Sequence, residues 1–171
     1  MAIAEIAAQF MTWANTTAAG WGYLGIFLVN LVGSASIIFP VPAFFVTFAM
    51  GAVFNPWLVG LAAAIGAALG ELTGYLIGFA GKEVAEKKHS KWLKRAHKWA
   101  EKRGVFPLIL VFAATPLPDD VTGVIAGLID YDWRKFLLAA FIGKLIMGLA
   151  LAWGGFFGLS WALQAFGGFG W

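Results

Sequence analysis

The stretch FAATPLPDD, residues 112–120, places two prolines and two aspartates directly behind an apolar run. A proline ring removes a backbone donor and disturbs the helical turn that precedes it. An ionised carboxylate in the middle of a bilayer costs about 2.5–3.5 kcal/mol or more unless it meets water or a partner. If the flanking residues lie in a membrane, this stretch predicts a broken helix whose tip stays wet.

The composition places the chain in a membrane. Of its 171 residues, 61% are apolar and 12% are charged, whereas a soluble domain carries roughly a quarter charged residues. The length fits one all-α integral membrane domain over residues 1–171. The sequence contains no cysteine, which excludes disulfides, thiolate nucleophiles and zinc–thiolate sites.

Apolar runs on either side of the opening stretch divide the chain into spans and shorter segments. Three runs are long enough to cross a hydrocarbon core of about 30 Å: residues 20–39, 57–80 and 133–154. The apolar stretch that begins at Pro42 and ends before Asn55 is too short to cross comfortably and lies between helix breakers. Residues 105–129 are apolar but are broken at TPLPDD. These two segments are predicted to be re-entrant helical hairpins.

An internal repeat links the two segments. A shift of about 76 residues aligns the punctuating residues of both: Pro40 with Pro116, Pro42 with Pro118, Gly51 with Gly127, and Trp57 with Trp133. Apolar residues often match by chance, whereas chance seldom aligns prolines, a glycine and a tryptophan in one register. The sequence therefore predicts a structural repeat with units at about 25–80 and 104–154.

The distribution of charge predicts the orientation of these units. Residues 82–103 hold nine of the twelve basic side chains against three glutamates, so the positive-inside rule places them in the cytoplasm of a multi-pass cell-membrane protein. They have the pattern of an amphipathic helix that attracts anionic head groups, and no nucleic-acid reading module accompanies them. If 105–130 returns to the same side, the repeat is inverted, as in many transporters. If 105–130 crosses, the units are parallel.

Asp119 and Asp120 are the first candidate site. One carboxylate would suit the positive N-terminal end of the short helix that begins near Val121, so helix capping is one interpretation. Two adjacent acids exceed what a cap requires, and neighbouring like charges raise each other's proton affinity. The functional interpretation is a paired site that takes up and releases a proton.

Glu71 and Lys144 are ionisable residues inside the predicted spans, where each needs a partner. Under the repeat, Lys144 matches Ala68, about one turn from Glu71, so an inverted repeat would bring the two together. The acids Asp119 and Asp120, or a lipid phosphate, are the alternative partners of Lys144. Tyr75, one turn from Glu71, is predicted to donate a hydrogen bond to it.

Two further features have a structural and a functional interpretation. Arg134 is either a phosphate contact, as guanidinium geometry allows, or a juxtamembrane anchor. Gly66, Gly70, Gly74 and Gly78 repeat every four residues, which is typical of close helix packing. No glycine-rich phosphate loop, HExxH or GxSxG is present. Neither enzyme chemistry nor a cofactor or metal is therefore expected.

Several segments together resemble the DedA/VTT membrane proteins, also called SNARE-associated Golgi proteins, and within them the small YqaA-like or archaeal branch. They are FPVPAFF at 39–45, GAALGELTGYLIGFAG at 66–81, ATPLPDDVTGVIAG at 114–127 and FIGKLIMG at 141–148. The chain departs from many members by carrying Ala43, Phe44 and Phe45 where they have an acid. It also lacks their arginine in the second re-entrant region, and Arg134 is the closest substitute.

This resemblance implies two re-entrant helices that face each other and a protein that translocates lipids, such as polyprenyl phosphates or phospholipids, with proton coupling. The expected partners are membrane lipids and protons, and a homo-oligomer is left open. In this interpretation Asp119 and Asp120 exchange protons, Glu71 and Lys144 line a polar cavity, and Lys144 or Arg134 attracts the lipid phosphate. The alternatives are a proton-coupled exporter of small cations or drugs, and a membrane scaffold that transports nothing.

Overall fold

The computed structural model describes residues 20–36, 41–116 and 120–166, without the side chains of 41–42, 86–103, 120 and 159–166. Within these ranges the chain forms six helices and no strand, as predicted for an all-α protein. The helices are α1 (Gly20–Ala35), α2 (Val41–Gly51), α3 (Pro56–Arg103), α4 (Phe106–Ala113), α5 (Asp120–Leu128) and α6 (Trp133–Phe166).

Two of these helices contain segments long and apolar enough to cross a membrane. They are Pro56–Ala85 in α3 and Trp133–Gly158 in α6, and they include the predicted spans 57–80 and 133–154. The two helices run antiparallel and touch closely, because Gly60 of α3 meets Gly148 and Leu149 of α6. Fifteen residues further along α3, the ring of Tyr75 packs 5.3 Å from that of Phe136.

The basic segment is not a separate helix. The sequence predicts a span to residue 80 followed by an amphipathic helix over 82–103, but the structure continues α3 without interruption to Arg103. Gly81, the one glycine near the expected boundary, costs a helix only about 1 kcal/mol, and the Lys, Glu and Ala residues that follow favour the helix. The side chains of 86–103, which hold most of the basic residues of the predicted amphipathic helix, lie outside the described side chains.

Residues 20–35 of the first predicted span form α1, which packs antiparallel to α2, and residues 37–39 of that span lie outside the described residues. Over Gly20–Ala35, α1 rises about 24 Å, short of the roughly 30 Å of a hydrocarbon core. The Tyr23 hydroxyl accepts a hydrogen bond from the Asn55 amide at 3.3 Å, so α1 begins where α2 ends. The run of apolar residues was long enough for a span, and hydropathy alone could not reveal that α1 folds back onto α2.

The second helix pair is built from still shorter pieces. Over Phe106–Ala113 and Asp120–Leu128, α4 and α5 rise about 12 and 13 Å. Val105, at the start of α4, belongs to the same hydrophobic cluster as Ile129, just past the end of α5, and Phe136 of α6. The start of α4 and the residue after α5 therefore belong to one hydrophobic cluster with α6.

Glycines allow the helices to approach one another at backbone distance. A Cβ at Gly78 of α3 would collide with the Val124 carbonyl of α5, and a Cβ at Gly127 would collide with the Tyr75 carbonyl. Similar contacts join the other helices: Gly66 with Phe27, Gly70 with Leu31, Gly51 with Ala152, Gly155 with Phe48, and Gly143 with Leu110. The predicted glycine stripe therefore packs against two neighbours, α1 on one part and α5 on the other.

Candidate functional site

A buried ion pair joins the two long helices. The Lys144 ammonium nitrogen lies 2.7 Å from a carboxylate oxygen of Glu71, and the two side chains are 6% and 2% exposed. Glu71 lies near the middle of the segment Pro56–Ala85, about 22 Å from either end. Lys144 lies near the middle of Trp133–Gly158. The pair is thus one of the pairings that the sequence left open, and it lies as deep as the spans allow.

A second polar group lies beside Lys144. Asn30 of α1 and Thr47 of α2 are buried and exchange hydrogen bonds of 3.1 and 3.3 Å. A cavity of about 10 Å³ is lined by Asn30, Thr47 and Lys144 together with apolar residues, and this volume is enough for about one water molecule. Polar side chains from α1, α2, α3 and α6 therefore converge on one region in the middle of the bundle.

The beginning of α5 lies close to the same region. A Cβ at Gly123 would lie 3.4 Å from the Glu71 carbonyl oxygen, and Gly127 meets Tyr75 one turn further along α3. The two helices therefore run in the same direction. Asp120, three residues before Gly123, begins α5 at about the depth of Glu71. The Asp120 side chain and the whole of Asp119 lie outside the described residues, so their proton-site role stays a prediction.

The predicted proline and glycine motifs are located in part. Pro116 is an exposed turn residue and Pro42 lies in the first turn of α2, whereas Pro40 and Pro118 lie outside the described residues. Gly51 and Gly127 both lie at close helix contacts, Gly51 against α6 and Gly127 against α3.

Arg134 is not part of the central site. It is exposed in the first turn of α6, with its guanidinium carbon 5.4 Å from the centre of the Trp133 ring. Ten helical residues separate it from Lys144, a rise of about 15 Å. This position fits the anchor interpretation, and its contact with a lipid phosphate stays a prediction.

The predicted hydrogen bond from Tyr75 to Glu71 is wrong. The Tyr75 hydroxyl donates instead to the Tyr131 carbonyl at 2.6 Å. The Tyr75 ring packs against Phe136 and Phe79, so it points along the bundle towards the loop after α5 rather than back to the carboxylate. Helical spacing put the two residues on one face but could not give the direction of the ring.

Sequence reasoning missed two polar contacts. The Lys82 ammonium lies 2.7 Å from the Asp130 carboxylate and joins the end of the α3 span to the end of α5. The other is the Asn30–Thr47 pair. Asn30 and Thr47 are each a polar residue within an apolar run. Because buried polar groups need partners, a polar residue in such a run was the signal that could have predicted this contact.

The start of α6 is held by Asp132. Its Oδ1 accepts hydrogen bonds from the amides of Arg134 at 2.8 Å and Lys135 at 3.1 Å, which makes it the N-cap. These bonds, that of Lys135 first, keep the pKa of Asp132 below its ordinary value. Among the residues with described side chains, no three His, Cys, Asp or Glu residues lie close enough to hold a metal ion.

Comparison with known proteins gives a family match and several relatives. Residues 41–157 match the VTT domain. "Inner membrane protein YqaA" of Escherichia coli is 26% identical over 112 residues, which cover 66% of this chain and 75% of that protein. "Uncharacterized membrane protein YbfM" of Bacillus subtilis is 29% identical over 140 residues, 75% of this chain and 85% of that protein. A Haemophilus influenzae protein is 31% identical over 101 residues, which cover 54% of this chain and 52% of that protein. No solved structure matches the chain.

Proposed function

This chain belongs to the VTT domain family of membrane proteins, which includes DedA proteins, and we propose that it translocates a phosphate-bearing lipid between the two leaflets. The observation that carries the proposal is the buried Glu71–Lys144 ion pair in the middle of the two spans. A lipid's tails can stay in the bilayer during such a movement. The protein needs to shelter only the head group, and a polar region halfway across is the place where shelter is needed most.

The proposal includes an inverted repeat, and the helix contacts support it. In an inverted repeat, the short helices of the two units have equivalent contacts with the span of the other unit. Here α2 packs on α6 through Gly51 and Ala152, while α5 packs on α3 through Gly127 and Tyr75. The shift of about 76 residues that relates Gly51 to Gly127 carries Tyr75 to the neighbour of Ala152, so the two contacts are equivalent.

The positions of the two helix pairs support re-entrant hairpins that enter from opposite faces. The beginning of α1 and the end of α2 lie together at Asn55, the residue directly before α3. The α4–α5 pair ends at Asp130, which bonds Lys82 near the other end of the α3 span. Pro56 and Lys82 are separated by a helical rise of about 39 Å, more than a hydrocarbon core. The two hairpins then point at each other: the inner end of α1 lies against Gly70 through Ala35, and Gly123 of α5 lies against the Glu71 carbonyl.

The ion pair offers a mechanism for binding and release. A buried ion pair adds little net stability, because desolvation of the two charges offsets their attraction. Protonation of Glu71 would cancel one charge and free the ammonium of Lys144 to bind the lipid phosphate. Loss of that proton would restore the carboxylate, which competes with the phosphate for Lys144. The acids Asp119 and Asp120 would supply and remove the proton.

The experiment is a flipping assay with head-group-labelled lipid in liposomes. The test protein carries Glu71→Leu and Lys144→Met together, because apolar replacement of both partners preserves stability better than loss of one. The matched control carries Glu83→Leu and Lys135→Met, the same changes at exposed positions of the same two helices. We expect the control to flip lipid at the normal rate and the test protein to lose most flipping.

Unchanged flipping in a folded test protein would contradict the mechanism. A second double variant, Asp119→Asn with Asp120→Asn, tests the proton site in the same assay and should also stop flipping. The exporter alternative predicts movement of a soluble cation, rather than lipid, under an imposed proton gradient. The scaffold alternative predicts that the unmodified protein moves neither.

A further inference from the structure

A groove lies between α3 and the segment 130–133 that joins α5 to α6. It encloses about 410 Å³, within the range of small-molecule sites. Leu72, Leu76 and Phe79 of α3 form its apolar wall, and Trp133 closes it near the start of α6. Asp130 and Asp132 lie along it as well.

The direction and exposure of the groove suit an acyl chain. From Leu72, next to the mid-span residue Glu71, its wall follows α3 for about 10 Å to Phe79. Phe79 lies one turn before Lys82. The groove therefore runs parallel to the lipid tails, from the interior towards the membrane surface. Leu76, Phe79 and Trp133 are 59%, 49% and 50% exposed, so the groove opens directly to the lipid.

The surface end of the groove carries charges of both signs. Asp130 is bonded to Lys82 at 2.7 Å. Asp132 is exposed, and both of its amide hydrogen bonds use Oδ1. The guanidinium of Arg134 is also exposed and lies over the ring of Trp133. A carboxylate followed by a guanidinium two residues along the chain complements a head group that carries an ammonium and a phosphate.

Under the repeat, the place that corresponds to this groove lies between Trp57 and α6, and an aromatic side chain of α6 occupies it. Trp57 matches Trp133 in the repeat, and its ring packs 5.6 Å from that of Trp153. Trp153 belongs to the second repeat unit, and the residue that matches it in the first unit is Ile77, which is 55% exposed. At this position of the repeat, α3 therefore carries a smaller side chain than the tryptophan of α6.

We propose that this groove binds one acyl chain of a phospholipid whose head group carries a primary ammonium, with the ammonium held by Asp132 and the phosphate by Arg134. Binding at this site goes beyond translocation and does not depend on it. The lipid would contact both α3 and the start of α6, so it would stabilise the contact between them. Neither Glu71 nor Lys144 takes part.

The test is native mass spectrometry of the full chain in detergent, with phosphatidylethanolamine, phosphatidylcholine and phosphatidylglycerol of identical acyl chains. We expect phosphatidylethanolamine to be retained best. Leu76→Trp fills the groove and should weaken its binding about tenfold, a change of about 1.4 kcal/mol. The matched control is Leu69→Trp, the same change at an exposed position of α3 outside the groove, and it should bind lipid normally.

Asp132→Asn tests the negative charge of Asp132 without removing the cap of α6. Asparagine caps a helix about as well as aspartate, so α6 should keep its start while affinity for phosphatidylethanolamine falls to that for phosphatidylcholine. Stronger retention of phosphatidylglycerol, equal retention of all three lipids, or an equal effect of the two tryptophan variants would overturn the proposal. Because no transport is measured, this result is independent of the flipping assay.

Discussion

Lys144 and Glu71 lie 2.7 Å apart in a region where both side chains are almost completely buried. This geometry separates the effect of losing one charge from the effect of losing both. A lone charge left behind is desolvated without its partner, whereas two apolar side chains of similar volume can pack against each other.

We therefore expect Glu71→Leu or Lys144→Met alone to destabilise the protein by about 3–5 kcal/mol, and the double variant to be near the original stability. Denaturant unfolding in mixed micelles measures all four proteins under one condition. A double variant as unstable as the sum of the two single variants would mean that the two charges are not coupled.

Gly78 and Gly81 lie three residues apart on α3 and should respond oppositely to the same change. A Cβ at Gly78 collides with the Val124 backbone, so Gly78→Ala should destabilise by about 1–3 kcal/mol. A Cβ at Gly81 only reaches a Leu128 methyl at 3.9 Å, so Gly81→Ala should be neutral or stabilise by up to about 1 kcal/mol through helix propensity. Thermal unfolding of the two variants checks the order, and equal shifts would contradict the α3–α5 contact.

Asp130 ends α5 with a φ of 55°, in the left-handed region. Its amide bonds the Gly127 carbonyl at 3.1 Å, and the Tyr131 amide bonds the Ala126 carbonyl at 2.9 Å, which together form a Schellman motif. Both Asp130→Gly and Asp130→Ala lose the ion pair with Lys82, but only alanine keeps the left-handed strain. The glycine variant should be the more stable of the two by about 1 kcal/mol. A more stable alanine variant would show that this backbone conformation is not maintained in the membrane.

Asp132 should contribute to the acid dependence of stability. Because the amides at the start of α6 lower its pKa in the folded protein, its contribution is present above the ordinary value of 3.8 and is lost as the pH falls through the lower folded value. Asp132→Asn keeps the cap and removes the titration. The melting-temperature difference between the two proteins should shrink below about pH 4, and added salt should reduce it at higher pH. A difference that grows as the pH falls would have the wrong sign.

Much of the fold follows from composition and spacing. Hydropathy located the two long spans within α3 and α6, because an apolar run of that length has few alternatives. It could not show that α1 packs against α2, because both are apolar and only contacts such as that between Tyr23 and Asn55 reveal it. The continuation of α3 from the span into the basic segment was missed for a related reason. A change from apolar to charged residues alters the surroundings of a helix without ending it.

The central pair was anticipated because the repeat supplied long-range information. Matching Lys144 to Ala68 placed it one turn from Glu71, and the structure has the two in contact. Lys82 and Asp130 have no such relation in the sequence, and neither do Asn30 and Thr47. Contacts between residues far apart in the chain depend on packing, and spacing along the sequence carries little of that information.

The most direct test of opposed hairpins is the membrane side of the two loops that follow them. Since the chain has no cysteine, a single cysteine can be placed at the exposed positions Val53, Lys135 or Glu83 and labelled in intact cells with a reagent that does not cross membranes. We predict that Val53→Cys is labelled from outside, and that Lys135→Cys and Glu83→Cys react only after permeabilisation. Labelling of Val53→Cys and Lys135→Cys from the same face would contradict the account.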